Sequence, residues 1–191
     1  MKDRKSAVMA AIDDNWRQFR NSLDRLVSSD MSLPGVLDDM SVADVVGHIT
    51  TWEWELLTAL DRGHIEPVGD INLFNEDARQ RKKGTGARRI VEDMERVHRS
   101  LRDELAKAPS AYFEPDDPFR ELIDRCTVLH YATIGGYVAL RCTVLCCVVM
   151  HWAVLHGTQS RRVSHCTALY CTVVYGSVLY RKVPQRTALH C

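Results

Sequence analysis

The chain has 191 residues, enough for one domain with a proper core, or for one domain with an appendage, but short for two full domains. Its 25 basic and 25 acidic side chains cancel, so the charge gives no indication of a nucleic-acid partner or of an acidic substrate. No apolar run of signal-peptide length precedes Asp13 and Asp14, which predicts a cytoplasmic protein. The 7 cysteines are then expected to be reduced thiols.

The zero net charge hides two compositions that meet near residue 125. Residues 1–125 hold all 25 acidic side chains against 19 Lys or Arg, a formal charge of −6, and no cysteine. Residues 126–191 hold the other six Lys or Arg and every cysteine, with no Asp or Glu. We therefore interpret the two regions separately.

Apolar side chains recur every three or four residues from Val8 to Leu26, which is the spacing of one amphipathic helix of about six turns. The stretch SLPGVLDD then interrupts the period and predicts a loop. Ser41, with Asp44 three residues later, has the pattern of a helix N-terminus closed by a capping box. The period continues until Gly63, which is expected to end that helix.

Residues 64–86 mix Pro and Gly with polar side chains, and we predict a long connection that contains one short helix around 75–81. The helical period returns over 87–105, and Asp117 followed by Pro118 predicts the start of a fourth helix. Four such helices hide their apolar faces most simply by packing antiparallel.

The predicted fold class is therefore all-α, an antiparallel four-helix bundle. It is expected to span residues 1–134. Residues 135–191 form an atypical tail, rich in Cys, Val and Tyr, of unknown structure.

The stretch at 40–60, MSVADVVGHITTWEWELLTAL, resembles the second helix of DinB-like four-helix-bundle proteins. That family's pattern runs roughly Trp-Ser-x-x-Asp-x-x-x-His-x-x-x-Trp-Glu, and Met40 stands where the family often has Trp. The matching positions are Ser41, Asp44, His48, Trp52 and Glu53.

The stretch at 119–131, FRELIDRCTVLHY, is similar to the opening of the family's fourth helix, which is often written around Thr-x-x-His-Tyr. Thr127, His130 and Tyr131 match that pattern. The resemblance covers about residues 8–131. The long second-to-third connection looks nearest to ClbS/DfsB-type and maleylpyruvate-isomerase-type members.

The resemblance implies a divalent metal, such as zinc, nickel or iron, held by one histidine of the second helix and a His-x-x-x-His pair of the fourth. His48 matches the first ligand and His130 the second, but Ile134 stands where the third is expected. Two imidazoles alone make a poor site, because divalent sites take three or four protein donors. Glu55 and Cys126 are conceivable substitute donors.

The residues also allow a reading without metal. His48 is then a partly buried histidine that bonds to a neighbour and packs near Trp52. We predict that His64 and His98 are exposed, because their surroundings are polar. The basic run at 79–89 lacks interleaved aromatic residues, so we predict a solvated loop rather than a nucleic-acid contact.

For function, the resemblance implies a metal-dependent enzyme that acts on a small electrophile or a thiol adduct, here with an impaired site. The alternative is a non-catalytic bundle that binds a small molecule or pairs with a second copy as a homodimer. Trp16, Trp52 and Trp54 are expected to fill core or half-buried positions rather than to form a ligand cage.

The word CTVLHY at 126–131 returns in altered form at 142–147, 166–171 and 186–191. The spacing between these words along the chain is irregular, whereas stacked repeats keep a near-constant spacing. We interpret the tail as translation in a reading frame that was not selected; an acidic helix with a second histidine in a neighbouring frame would support this. A membrane helix over 137–155 is the first alternative. A cysteine metal or redox cluster is weaker, because no Cys-x-x-Cys pair occurs.

Overall fold

The computed structural model describes residues 4–24 and 26–139. Every regular element within these two ranges is helical, which confirms the all-α class for this part of the chain. The α-helices are α1 (Arg4–Leu23), α2 (Ser28–Met31), α3 (Val42–Arg62), α4 (Ile71–Lys82), α5 (Ala87–Lys107) and α6 (Pro118–Asp124). A 3₁₀ helix (Ser110–Phe113) precedes α6, and a π-helix (Arg125–Ile134) follows it directly.

Helix α1 confirms the first amphipathic helix, although it ends at Leu23 rather than near Leu26. Its buried apolar side chains lie on one face: Val8, Ile12, Phe19 and Leu23. The single turn of α2 was not predicted, because four residues are too few to show a period.

Both ends of α3 form as its sequence predicts. Ser41 Oγ accepts the Asp44 N–H at 3.1 Å, and Asp44 Oδ2 accepts the Ser41 N–H at 2.9 Å, which completes the capping box. At the other end Gly63 adopts a left-handed φ of 72° and donates its N–H to the Ala59 carbonyl. The positions of the side chains along α3 are fixed by these two ends.

Helix α4 is longer than the short helix predicted around 75–81. Asp70 Oδ1 accepts the N–H groups of Asn72 and Leu73, at 2.9 and 3.1 Å, and so starts the helix earlier than expected. Ala78 is the one buried residue of α4, so its sequence carries little apolar period. The predicted long connection is therefore two shorter segments on either side of a 12-residue helix.

Helix α5 confirms the third amphipathic segment, with buried side chains at Ile90, Met94, Val97, His98, Leu101 and Leu105. Helix α6 also begins as predicted, with Asp117 Oδ1 accepting the Phe119 N–H at 2.8 Å. The π-helix that follows was not predicted. Helical backbone continues over 135–139, beyond the expected limit at 134, and Val138 is fully buried.

Helix α3 is central to the packing, because it contacts α5, α4 and the π-helix. Helix α1 packs against the π-helix and the residues after it. A Cβ at position 135 would lie 2.9 Å from Phe19 Cδ2, so Gly135 allows this close approach. The side chains that α3 and the π-helix direct toward each other form the interior described below.

No helix within residues 4–24 and 26–139 is both long and apolar enough to span a bilayer. The apolar stretch at 137–155 lies almost entirely outside the described residues. The repeated words of the tail and every cysteine after Cys126 lie outside them as well.

Candidate functional site

The fold brings the two histidines of the family-like pattern together. His48 of α3 and His130 of the π-helix have ring centroids 5.2 Å apart, with their planes inclined at 80°. The Trp52 ring lies 6.4 Å from each of these imidazoles. We call His48 and His130 the imidazole pair. The prediction that His48 is partly buried near Trp52 is confirmed.

His130 is buried without a normal hydrogen bond. The residue is only 2% exposed, and neither ring nitrogen has a hydrogen-bond partner among the described residues. The Cys126 backbone, one turn earlier, interacts with the His130 ring as a hydrogen-bond acceptor does and raises the pKa of His130, but burial and the neighbouring His48 lower that pKa more. A buried polar group left unsatisfied costs roughly 1–3 kcal/mol. Native proteins keep few such groups, and a binding role is one of the reasons they are kept.

Both imidazoles are held neutral. The pKa of His48 is lowered to about 4, chiefly because burial disfavours the charged ring and secondly because of the Lys82 ammonium. The pKa of His130 is lowered to about 3, again chiefly through burial, with a smaller contribution from His48. At neutral pH each ring therefore offers one N–H donor and one nitrogen lone pair.

Helix α4 supplies a wall beside the imidazole pair. Trp52 Nε1 donates to Asn75 Oδ1 at 3.0 Å, and the rings of Trp52 and Phe74 lie 5.1 Å apart. These two contacts fix the indole in place between α3 and α4. The segment that sequence patterns described least well thus positions one side of the candidate site.

The residues present fit only part of a divalent metal site. Ile134, at the expected place of the third ligand, is 2% exposed and packs in the apolar core. Within the described part of the chain, no group of three or more His, Cys, Asp or Glu side chains is placed to hold a metal ion. The conceivable substitutes, Glu55 and Cys126, therefore do not complete the set. The imidazole pair supplies two donors where three or four are usual.

Lys82, the last residue of α4, reaches onto α3 beside His48. Its Nζ donates to the Gly47 carbonyl at 2.6 Å and to Thr51 Oγ1 at 2.9 Å. Burial lowers the pKa of Lys82 to about 8. We call Lys82, Gly47 and Thr51 the lysine cradle. The prediction of a solvated loop at 79–89 is wrong for residues 79–82, which belong to α4, and for residues 87–89, which begin α5.

A second buried cluster joins three helical elements. His98 Nδ1 lies 2.9 Å from Glu53 Oε1 and 2.9 Å from the Tyr131 hydroxyl, and that hydroxyl also donates to Glu53 Oε1. Trp16 stacks on His98 with a centroid distance of 3.7 Å and an interplanar angle of 7°. We call Glu53, His98 and Tyr131 the polar network. These contacts fix α1, α3, α5 and the π-helix against one another.

The exposure predicted for His98 is wrong, since the residue is 4% exposed, whereas His64 is exposed as predicted. The signal was present in the sequence. His98 follows Met94 by four residues and precedes Leu101 by three, so it lies on the apolar face of α5.

The predicted core or half-buried placement is also wrong for Trp54, which is 51% exposed, but it is confirmed for Trp16 and Trp52. Two residues beyond Trp52, Trp54 points away from the helix face that packs.

Glu53 has one bonded and one unbonded oxygen. Its Oε1 takes part in the polar network, whereas its Oε2 is buried with no hydrogen-bond partner among the residues described. Burial raises the pKa of this carboxyl above its ordinary value, although its bonds to His98 and Tyr131 oppose the shift. The carboxylate is a matched position of the family-like pattern for which the sequence alone suggested no role.

Comparisons with protein-family models, with curated proteins and with solved structures found no match to this chain. The geometry of the imidazole pair, the lysine cradle and the polar network must therefore carry the functional argument.

Proposed function

We propose that the chain is a DinB-like protein whose four bundle helices are α1, α3, α5 and the combined α6 and π-helix, packed antiparallel. Support comes from the family-like pattern on α3 and the π-helix, and from the apolar faces of the long helices. The motif residues also meet in space: His48 faces His130, and Glu53 contacts Tyr131.

We further propose that the imidazole pair is the ligand-binding centre of this bundle, in a protein that handles a small electrophile or thiol adduct. One observation carries this proposal: His130 is buried 5.2 Å from the ring of His48, and neither of its ring nitrogens makes a normal hydrogen bond to the described residues. Two neutral imidazoles from facing helices can bind a zinc, nickel or iron ion only as part of a larger donor set.

A bound divalent ion would polarise a substrate or stabilise a thiolate. Because the set is one donor short, the chain's own residues are left with binding and orientation: the imidazoles donate or accept hydrogen bonds, and Trp52 closes one side. This is the impaired site that Ile134 predicts.

A second candidate function is supported by the same shortage of donors. A bundle that binds a small molecule without metal needs buried polar groups with free hydrogen-bonding capacity, and these are the ring nitrogens of His130 and Glu53 Oε2. Self-association of the bundle, a cytoplasmic location and the absence of a nucleic-acid partner stay predictions.

Metal loading tests the first candidate. The full-length protein is incubated with zinc, nickel or iron(II), passed through a desalting column and analysed for metal per chain, beside the variants His48→Ala and His130→Ala. The matched control is His64→Ala, because His64 is exposed and distant in sequence from the pair. Because the site is one donor short, we expect less than one ion per chain to remain with the wild type and the control, and none with both other variants.

Equal metal in wild type and His48→Ala would contradict a site at the imidazole pair. If no metal remains with any of the four proteins, the metal-free binding function is favoured. The polar side chains of the pair then serve a ligand directly.

A further inference from the structure

The ammonium group of Lys82 lies on α3 at Gly47, the residue before His48 of the imidazole pair. It donates to two neutral oxygens, and no carboxylate of the described residues forms an ion pair with it. Asp93 and Glu53 act on it only through longer-range attraction, which is smaller than the effect of burial. Lysines withdrawn from water are usually paired with an anion.

Gly47 is what allows Lys82 to lie there. A Cβ at position 47 would come within 3.0 Å of Lys82 Cδ, so the lysine stem crosses α3 where the helix carries no side chain. Glycine inside a helix is destabilising by roughly 0.5–1 kcal/mol relative to alanine. The sequence thus has an unfavourable helix residue at the one place that seats this lysine.

Thr51 holds the ammonium in a defined orientation. Its Oγ1 donates to the Gly47 carbonyl at 2.9 Å and accepts from Lys82 Nζ at 2.9 Å. An ammonium has three N–H donors, and the lysine cradle uses two of them. The third N–H has no partner among the described residues and is the donor that a ligand would meet.

The neighbouring imidazoles point to the same kind of ligand independently. His130 is buried, its ring nitrogens have no hydrogen-bond partner among the described residues, and it faces His48, which directly follows Gly47 of the lysine cradle. An imidazole ring carries at least one N–H donor in either protonation state. A cation next to neutral donors is an arrangement that favours an anion.

We propose that the lysine cradle is an anion subsite, and that the chain binds a small organic carboxylate there with the rest of the molecule against the imidazole pair. This inference rests on the proposed function, because it takes the imidazole pair as the ligand centre. A single free N–H suits one carboxylate oxygen, whereas a phosphate group normally collects several donors at once.

The test uses metal-free, full-length protein and two small thiols of similar size. Mercaptoacetate carries the carboxylate, and 2-mercaptoethanol carries an uncharged hydroxyl instead. Binding is followed through the histidine ring resonances. We expect the wild type to bind mercaptoacetate about tenfold more tightly, as a charge-assisted hydrogen bond would give.

The variant Lys82→Met removes the ammonium and keeps most of the stem, and we expect the preference for mercaptoacetate to disappear. Lys83→Met is the matched control, because Lys83 is the exposed next residue, and the preference should survive there. Thermal unfolding of both variants checks that each is folded.

Gly47→Ala gives a readout that a purely structural role of Lys82 would not produce. The added Cβ requires the lysine stem to shift by a few tenths of an ångström, which disturbs the hydrogen bonds of the ammonium, while it improves the helix. We expect unchanged or higher thermal stability together with a weaker preference for mercaptoacetate.

Equal affinity of the wild type for both thiols, no binding of mercaptoacetate, or an undiminished preference in Lys82→Met would each overturn the subsite. Metal loading is measured separately, so the two proposals fail separately. If the protein prefers mercaptoacetate but retains no metal, only the metal site is contradicted. If it retains metal but shows no preference for mercaptoacetate, only the anion subsite is contradicted.

Discussion

The imidazole pair and the polar network share two elements, α3 and the π-helix, but differ in how their polar atoms are satisfied. Helix α3 supplies His48 to one and Glu53 to the other, while the π-helix supplies His130 and Tyr131. In the polar network the three side chains bond to one another, and only the second oxygen of Glu53, Oε2, is left without a partner among the described residues. In the imidazole pair the buried His130 nitrogens bond to nothing among the described residues.

This difference separates a stabilising role from a binding role. A satisfied buried network fixes one arrangement of its helices, whereas an unsatisfied group lowers stability and keeps hydrogen-bonding capacity for something else. The π-helix makes the contrast possible, because it buries the consecutive residues His130 and Tyr131 in different clusters. Short π segments are frequent at functional sites.

The strongest test of the contrast removes a member of the polar network. We expect His98→Leu to lower the free energy of unfolding by about 3 kcal/mol, because it deletes two buried hydrogen bonds and the stacking on Trp16. Urea unfolding followed by tryptophan fluorescence measures this. Arg99→Leu, at the exposed next position, is the control and should change stability by less than about 0.5 kcal/mol. A small effect of His98→Leu would mean that the network stabilises nothing.

Lowering the pH is the next test, because it acts on the imidazole pair. The folded-state pKa values of His48 and His130, about 4 and about 3, lie below the ordinary 6.5, so the unfolded chain takes up protons first. Above about pH 6.5 the two histidines leave the free energy of unfolding at its full value. As the pH falls below 6.5 toward the folded-state pKa values, the free energy of unfolding falls. The loss approaches about 1.4 kcal/mol per pH unit for each histidine.

The raised pKa of Glu53 acts in the opposite sense. Its contribution to the free energy of unfolding is complete below the ordinary pKa of 4.5 and is lost as the pH rises through the raised pKa. The measured slope of the free energy of unfolding against pH is therefore the sum of the histidine and Glu53 effects. Urea unfolding of metal-free protein between pH 5 and 6.5 gives that slope, and replacing His130 with leucine should lower it by about 1 kcal/mol per pH unit. An unchanged slope in that variant would show that His130 is not held neutral.

Much of the helical framework could be predicted from local chemistry. The caps at Ser41, Gly63 and Asp117 and the apolar period of α5 depend on residues close in sequence, and they formed as expected. The meeting of His48 and His130 came only from a family resemblance. No local rule would have paired residues so far apart.

The polar network and the lysine cradle were missed for a related reason. Both depend on side chains that come from different helices, and the sequence patterns predicted neither the full length of α4 nor the π-helix. A polar residue such as His98 or Glu53 on an apolar face is visible in the sequence, but its partners are not. In the sequence Lys82 is one residue of a basic run. Its close approach to Gly47 depends on how α4 packs against α3, which local sequence does not show.

The finest test replaces His130 itself. His130→Leu removes two unbonded buried nitrogens and adds none, so we expect stability at pH 7.5 to be unchanged or higher by about 1 kcal/mol, the opposite sign to His98→Leu. Ligand and metal binding should be lost in the same variant, so the substitution removes binding without lowering stability. If His130→Leu is instead as destabilising as His98→Leu, His130 contributes to the fold through contacts of its own, and the imidazole pair loses its standing as the binding centre.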